Sequence, residues 1–219
     1  LQSFKWLRFI QDRYRAQGRT ILGNMGPTLD AWTSYTALDI VGIESAIFRD
    51  RALMGYHRFG SAQKPCLPMN FINLHGLDDR ATAEEYVLAS AQWGHMPSTG
   101  RMVREGYASY GDVCHTFYPA LIEMSQAGWE PVPLVEGVAA ERFGGPRSAG
   151  LTPPGSDHPI VAGAVYLTVR APRAGRQATL RLLPALLEGM ADPVVLDAVQ
   201  LCPVPSRPTA AGLEVPLVD

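Results

Sequence analysis

The chain lacks any long hydrophobic run. Nowhere in its 219 residues do about 18 apolar residues follow one another, so no membrane-spanning helix is expected. It also lacks a dominant charge: 19 lysines and arginines against 21 aspartates and glutamates leave a net −2. That balance carries no footprint for nucleic acid or an anionic membrane, and neither partner is expected. Cysteine is scarce. Cys66, Cys114 and Cys202 are far apart, with no CxxC or zinc spacing, which argues against a disulfide framework and reads them as small buried hydrophobes. The compartment stays open.

Several chemical motifs are missing too. The five histidines, His57, His75, His95, His115 and His158, are scattered, and no HExxH pair occurs. No GxSxG elbow occurs either. Gly23-Asn24-Met25-Gly26 lacks the third glycine of a dinucleotide fingerprint and any P-loop lysine. No metal and no cofactor is therefore expected. The first residue is Leu1, and Leu1 to Gln17 already reads as a helix in progress, so no signal peptide is visible. The chain looks cut from something longer, and any secretion signal, with the secreted or periplasmic location it implies, would lie upstream.

What is present is an ordinary globular composition, 47% hydrophobic and 18% charged, at a length that permits one or two domains. A first helix is expected over Ser3–Ala16, with Gly18 at C′. Arg19–Asn24 is a short apolar run ending in a polar residue. Gly26-Pro27 opens a helix-sized segment with Trp32 and Tyr35. Leu38–Glu44 is a second apolar run, and it ends in a carboxylate. Two strands with a helix between them form a βαβ unit. A helix over Arg49–Phe59 follows, with Leu53, Tyr56 and His57 spaced to face one way. A third strand over Cys66–Asn73 is weakened by Pro68, which cannot donate in a ladder. A helix over Thr82–Trp93 carries a capping box, Thr82 with Glu85. Ser98–Gly111, glycine-rich and polar, reads as an excursion or lid, and Val113–Gln126 as another helix.

Helix and strand alternate up to this point, which argues for a parallel sheet with crossover helices. After Trp129 the character changes. Pro131 and Pro133 break helices. Leu134–Ala140, Val161–Arg170, Ala178–Leu183, Val194–Val199 and Leu213–Val218 read as short strands between turn signals, an antiparallel module. Pro184-Ala-Leu-Leu-Glu can also make a helical turn. Three strands in about 130 residues are under half of a (β/α)8 barrel. The expected fold is α/β: the last three or so β/α units of such a TIM barrel over residues 1–130, then a small antiparallel β-sandwich over 131–219.

Gly18-Arg-Thr-Ile-Leu-Gly-Asn24, Leu38-Asp-Ile-Val-Gly-Ile-Glu44, Lys64-Pro65, Ala127-Gly-Trp-Glu-Pro131 and Glu141-Arg-Phe-Gly144 occur in that order. Together they resemble the C-terminal part of uncharacterised glycoside-hydrolase-like TIM-barrel proteins that end in a β-sandwich. The resemblance implies barrel strands ending near Asn24, Glu44 and Asn70 to Asn73. It also implies that the first strands, which usually carry one of two catalytic carboxylates, lie outside this stretch.

In parallel α/β folds, groups at the C-terminal strand ends project into the site. Glu44 there is the catalytic candidate, as general acid, base or nucleophile, with an apolar lead-in that would desolvate it. The bland reading is a structural ion pair with Arg49 or Arg58. Asn24 can orient Glu44 or bond a sugar hydroxyl, and Asn70, Asn73 and His75 share the substrate-binding reading. Trp32, Tyr35 and Trp93 are core residues or stacking platforms. Asp39, at the start of its strand, belongs to the stability face, and Asp78-Asp79 to a solvated loop. The expected activity is hydrolysis of O-glycosidic bonds in a carbohydrate substrate. The competing reading is a non-catalytic carbohydrate-binding or degenerate barrel-plus-sandwich protein.

Overall fold

A computed structural model describes residues 2–24, 35–44, 47–70, 79–99, 104–145, 164–170 and 177–217. The fold is mixed α/β. Its first part alternates: α1 (Gln2–Arg15), β1 (Leu22–Asn24), β2 (Ile40–Ile43), a 3-10 turn (Ile47–Arg49), α2 (Arg51–Ser61), β3 (Cys66–Asn70), α3 (Arg80–Gln92), β4 (Ser98–Thr99) and α4 (Arg104–Ala127). The strands form one sheet in the order β1-β2-β3-β4, and every neighbouring pair is parallel. Among the described residues this sheet does not close, and β1 and β4 are its edges.

In a parallel sheet whose strand order follows chain order, crossovers of the usual right hand put the connecting helices on one face. Val41, Ile43 and Cys66 turn to that face and are buried with Tyr35 and Met54, with Leu53 and Trp93 packed against them. The alternate residues, Leu22, Ile40, Leu67 and Met69, lie on the other face and stay half-buried or exposed. Beside this core, Tyr86 and Val87 of α3 pack with Phe48 and with Cys114 of α4.

α1 ends as its sequence demands, with Gly18 at φ +68° past the last turn. It is fastened by Asp39. The buried carboxylate accepts from Gln11 Nε2 at 2.9 Å, from Arg15 Nε at 2.8 Å and from the Ile21 N–H at 2.9 Å. Burial alone would raise this carboxyl, but the Ile21, Arg15 and Gln11 donors and the Arg15 charge outweigh it and hold it below the usual range. Asp39 is thus a structural pin.

Several sequence expectations are corrected. A fourth parallel strand exists, at Ser98–Thr99, where a lid was expected, and residues 104–111 are the first turns of α4. The later part of that helix buries Cys114, Leu121 and Met124, and this packing overrides the weak helix propensity of its glycine-containing start. α3 begins two residues before Thr82, because Asp79 is the N-cap and accepts from the Thr82 N–H at 2.9 Å. Glu85 instead pairs with Arg49. α2 buries Met54, His57, Arg58 and Ser61; of the three residues read as its inward face, His57 is buried and Leu53 packs against the core, while Tyr56 is only half-buried. Pro68 is accommodated inside the sheet: the Tyr86 hydroxyl fills the gap between β3 and β4, accepting from the Ser98 N–H at 2.8 Å and lying 2.7 Å from the Pro68 carbonyl. Cys66 and Cys114 are buried as expected, but Cys202 is exposed.

The second part is antiparallel. β5 (Trp129–Glu130), β7 (Ala140–Phe143) and β8 (Tyr166–Val169) form one sheet. β6 (Val135–Glu136), β9 (Ala178–Leu182), β12 (Arg207–Thr209) and β13 (Gly212–Leu217) form another, in the order β12-β13-β9-β6. β10 (Leu196–Asp197) and β11 (Cys202–Pro203) are a separate pair. The turn foreseen at Pro184 is the short helix α5 (Pro184–Leu187). Leu180, Leu182, Leu213 and Val215 form a core, and Leu167 and Val169 of β8 pack onto it, so the two sheets face each other. The outer face of the larger sheet carries a cross-strand charge row, Glu136, Arg181, Glu214 and Arg207. The smaller sheet adheres to the helical layer: Phe143 and Trp129 share a core with Leu121 and Met124, and Thr168 Oγ1 donates to the Gln92 carbonyl at 2.5 Å.

Candidate functional site

β1 and β2 are in register with Asn24 opposite Gly42. Glu44 stands two residues beyond Gly42, so it shares a face with Asn24 by the two-residue period of a strand. Both side chains emerge at the C-terminal end of the parallel sheet, and they meet twice. Asn24 Nδ2 donates to Glu44 Oε2 at 2.5 Å, and the Glu44 N–H donates to Asn24 Oδ1 at 3.1 Å. One side-chain amide therefore fixes both the carboxylate and the backbone that carries it. An Asn does this as no aspartate can, because it presents a donor and an acceptor together.

Below the pair the sheet is apolar. A Cβ on Gly42 would lie 2.8 Å from Met69 Cε and 3.3 Å from Leu22 Cδ2, so the bare glycine lets Leu22 and Met69 close over it. The result is a polar pair at the rim of an apolar floor.

The sequence candidates are placed as follows. Glu44 and Asn24 are brought together. Asn70 is the last residue of β3, at the same end of the sheet. Asn73 and His75 lie outside the described residues, as do Trp32, Asp78 and His158. Glu44 is exposed, so the burial of Val41 to Ile43 stops short of its carboxylate and does not desolvate it. The structural ion pair does not form either. Arg49 is bound to Glu85 at 3.1 Å, and Arg58 donates to the Ala62 and Lys64 carbonyls at 2.5 and 2.6 Å. Among the described residues Glu44 has no salt bridge. Tyr35 is no stacking platform: it is buried, with its hydroxyl 2.5 Å from His57 Nδ1. Trp93 packs against the helical core. No group of histidine, cysteine and carboxylate side chains suited to a metal occurs among the described residues.

Comparison with protein-family models, with curated proteins and with solved structures finds no match for this chain.

Two histidines behave unlike site groups. His57 and His95 are fully buried. Burial depresses His57 to about 4 and His95 well below the ordinary imidazole value, His95 further disfavoured by the nearby Arg58 and His57. Both imidazoles are neutral core groups. Residues that sequence reasoning missed are Leu22, Gly42 and Met69, the floor of the rim. They read as ordinary strand apolar positions, and only the register puts them beneath Glu44.

Proposed function

We propose that this chain is the C-terminal half of a (β/α)8 barrel followed by a β-sandwich domain, with the division near residue 130, and that it forms part of a glycoside hydrolase. Glu44 supplies one of the two carboxylates that flank an O-glycosidic bond, and the other lies on a barrel strand outside these residues. The observation that carries this reading is the Asn24–Glu44 pair at the C-terminal ends of adjacent parallel strands. A carboxylate there is held in one orientation by an amide, carries no salt bridge among the described residues and is open to a ligand. Four sequential parallel strands are half of the eight that close a barrel, and active sites of such barrels sit at this end.

In this role Asn24 positions Glu44 through Oε2, which leaves Oε1 to work as proton donor, proton acceptor or nucleophile. Leu22 and Met69 offer an apolar floor to a sugar ring. Asn70, Asn73 and His75 complete the substrate-binding side of the proposal. The competing reading, a carbohydrate binder without turnover, uses the same rim. Incubating the full polypeptide with a panel of oligosaccharides, and following both binding and product by mass spectrometry, separates the two. New reducing ends support the hydrolase; binding with unchanged oligosaccharide supports the binder; absence of both binding and product removes the carbohydrate reading.

A further inference from the structure

The sheet face that carries Glu44 ends in a hydroxyl. β4 pairs with β3 in parallel, with Met69 opposite Ser98. Bridged residues of neighbouring parallel strands share a face, and residues alternate along each strand. The face of Leu22 and Asn24 on β1 therefore continues through Gly42 and Glu44 at β2 and through Leu67 and Met69 on β3 to Ser98 on β4. Two strand spacings, roughly 10 Å, separate β2 from β4. Met69 lies between them. A Cβ on Gly42 would lie 2.8 Å from Met69 Cε, so the Met69 methyl leans towards β2 and away from Ser98. From β2 to β4 the face reads carboxylate, apolar floor, hydroxyl.

Ser98 is fixed through its backbone. The Tyr86 hydroxyl accepts from the Ser98 N–H at 2.8 Å and lies 2.8 Å from the Ser98 carbonyl oxygen. Tyr86 is itself locked in the core between α3 and α4. The half-buried Ser98 hydroxyl makes no hydrogen bond among the described residues, so its donor and its acceptor are left for a ligand. The arrangement parallels the one across the floor, where the Asn24 amide fixes the backbone of Glu44 and leaves one carboxylate oxygen to work.

We propose that Ser98 is a substrate-binding residue of this site, that its hydroxyl bonds a hydroxyl of the sugar unit whose opposite edge meets Glu44, and that Tyr86 positions it. The face accommodates one pyranose ring lying flat, with its C–H groups on Met69 and its hydroxyl-bearing edges turned to β2 and β4. An apolar ligand of the same size is disfavoured, because it would desolvate Glu44 and Ser98 without bonding either.

This inference rests on the carbohydrate reading of the rim and adds a residue to it. It is tested in the full polypeptide with p-nitrophenyl glycosides of glucose, galactose, mannose and xylose and their monodeoxy analogues, comparing wild type, Ser98→Ala and Glu44→Gln. For the glycoside that is taken, Ser98→Ala should raise KM, or Kd where binding occurs without turnover, by roughly 2- to 12-fold, the worth of one neutral hydrogen bond, with kcat and Tm unchanged. One monodeoxy analogue should weaken the wild type by the same factor and leave Ser98→Ala no weaker than with the parent glycoside. Wild-type KM in Ser98→Ala beside a turnover loss in Glu44→Gln overturns the inference and leaves the Glu44 assignment standing. Weakening that no deoxy analogue cancels, together with a lower Tm, overturns it as well and makes Ser98 structural. Absence of binding across the panel removes the carbohydrate reading of the rim and the inference with it.

Discussion

Lowering the pH should unfold this protein earlier than its carboxylates alone would require, because two imidazoles are sealed in its core. His57 and His95 are 0% exposed. His57 Nδ1 meets the Tyr35 hydroxyl, while His57 Nε2 and both His95 nitrogens have no partner among the described residues. The charged neighbour is Arg58, itself buried, with its guanidinium spent on two backbone carbonyls. Tyr56 and Tyr35 face His57, and no carboxylate bonds either imidazole among the described residues. A proton on either ring would add a second buried cation beside Arg58.

The folded state therefore binds these protons only at lower pH than the unfolded chain. Between about 6.5 and about 4 the unfolded chain takes up the His57 proton first, so stability is full above 6.5 and falls as pH drops through that window. The depression of His57 corresponds to roughly 3 kcal/mol at neutral pH, at about 1.36 kcal/mol per pH unit. For a chain of this size that is roughly 6–12 °C in Tm. His95 acts with the same sign. Unfolding free energies from urea titrations between pH 7.5 and 4.5 should fall with a slope approaching that of two protons, and the double variant His57→Gln, His95→Gln should flatten it. Imidazole resonances that titrate near 6.5 in the folded protein would refute the reasoning.

Other perturbations have equally definite outcomes. Asp39→Ala should cost about 1–3 kcal/mol by stranding Gln11 and the Ile21 N–H, and should release α1, seen as lost helical circular dichroism. The depressed Asp39 carboxyl adds stability above the normal carboxylate range that is lost as pH falls through its lower folded value, below the histidine window. Tyr86→Phe should cost about 1–3 kcal/mol, because the Ser98 N–H loses its acceptor beside Pro68, and the amides of β3 and β4 should exchange faster. Gly212→Ala should destabilise the fold by about 1–3 kcal/mol, read as a lower Tm, since Gly212 sits at φ +130° with its missing Cβ 2.0 Å from the Leu182 carbonyl oxygen.

How much of this was legible in the sequence depends on which physical term decides each feature. Asn24 and Glu44 were legible because apolar runs ending in polar residues mark strand ends, and parallel pairing follows from the helix-sized spacing between them. The antiparallel pairing after Trp129 was legible for the same local reasons. Asp39 was rightly set aside, although nothing local reveals that Gln11 and Arg15, more than 20 residues away, converge on it. β4 was illegible: two residues carry no periodic signal, and the strand exists because β3 and Tyr86 offer it partners. The start of α3 was misread because two capping signals, at Asp79 and Thr82, lie three residues apart and burial of Ala83 and Tyr86 favours the earlier one. The exposure of Glu44 was also illegible, since Ile40 to Ile43 describe the strand and not what lies beyond its end.

The most direct test of the account is Glu44→Gln in the full polypeptide, with turnover of an oligosaccharide and Tm measured on the same sample. The swap keeps the shape and an acceptor for Asn24 Nδ2 but removes the charge and the transferable proton. The account predicts a loss of roughly 10²- to 10⁴-fold in turnover, smaller for substrates with good leaving groups if Glu44 is the acid, with Tm unchanged. Turnover retained while Tm falls would contradict it and leave Glu44 as a structural residue.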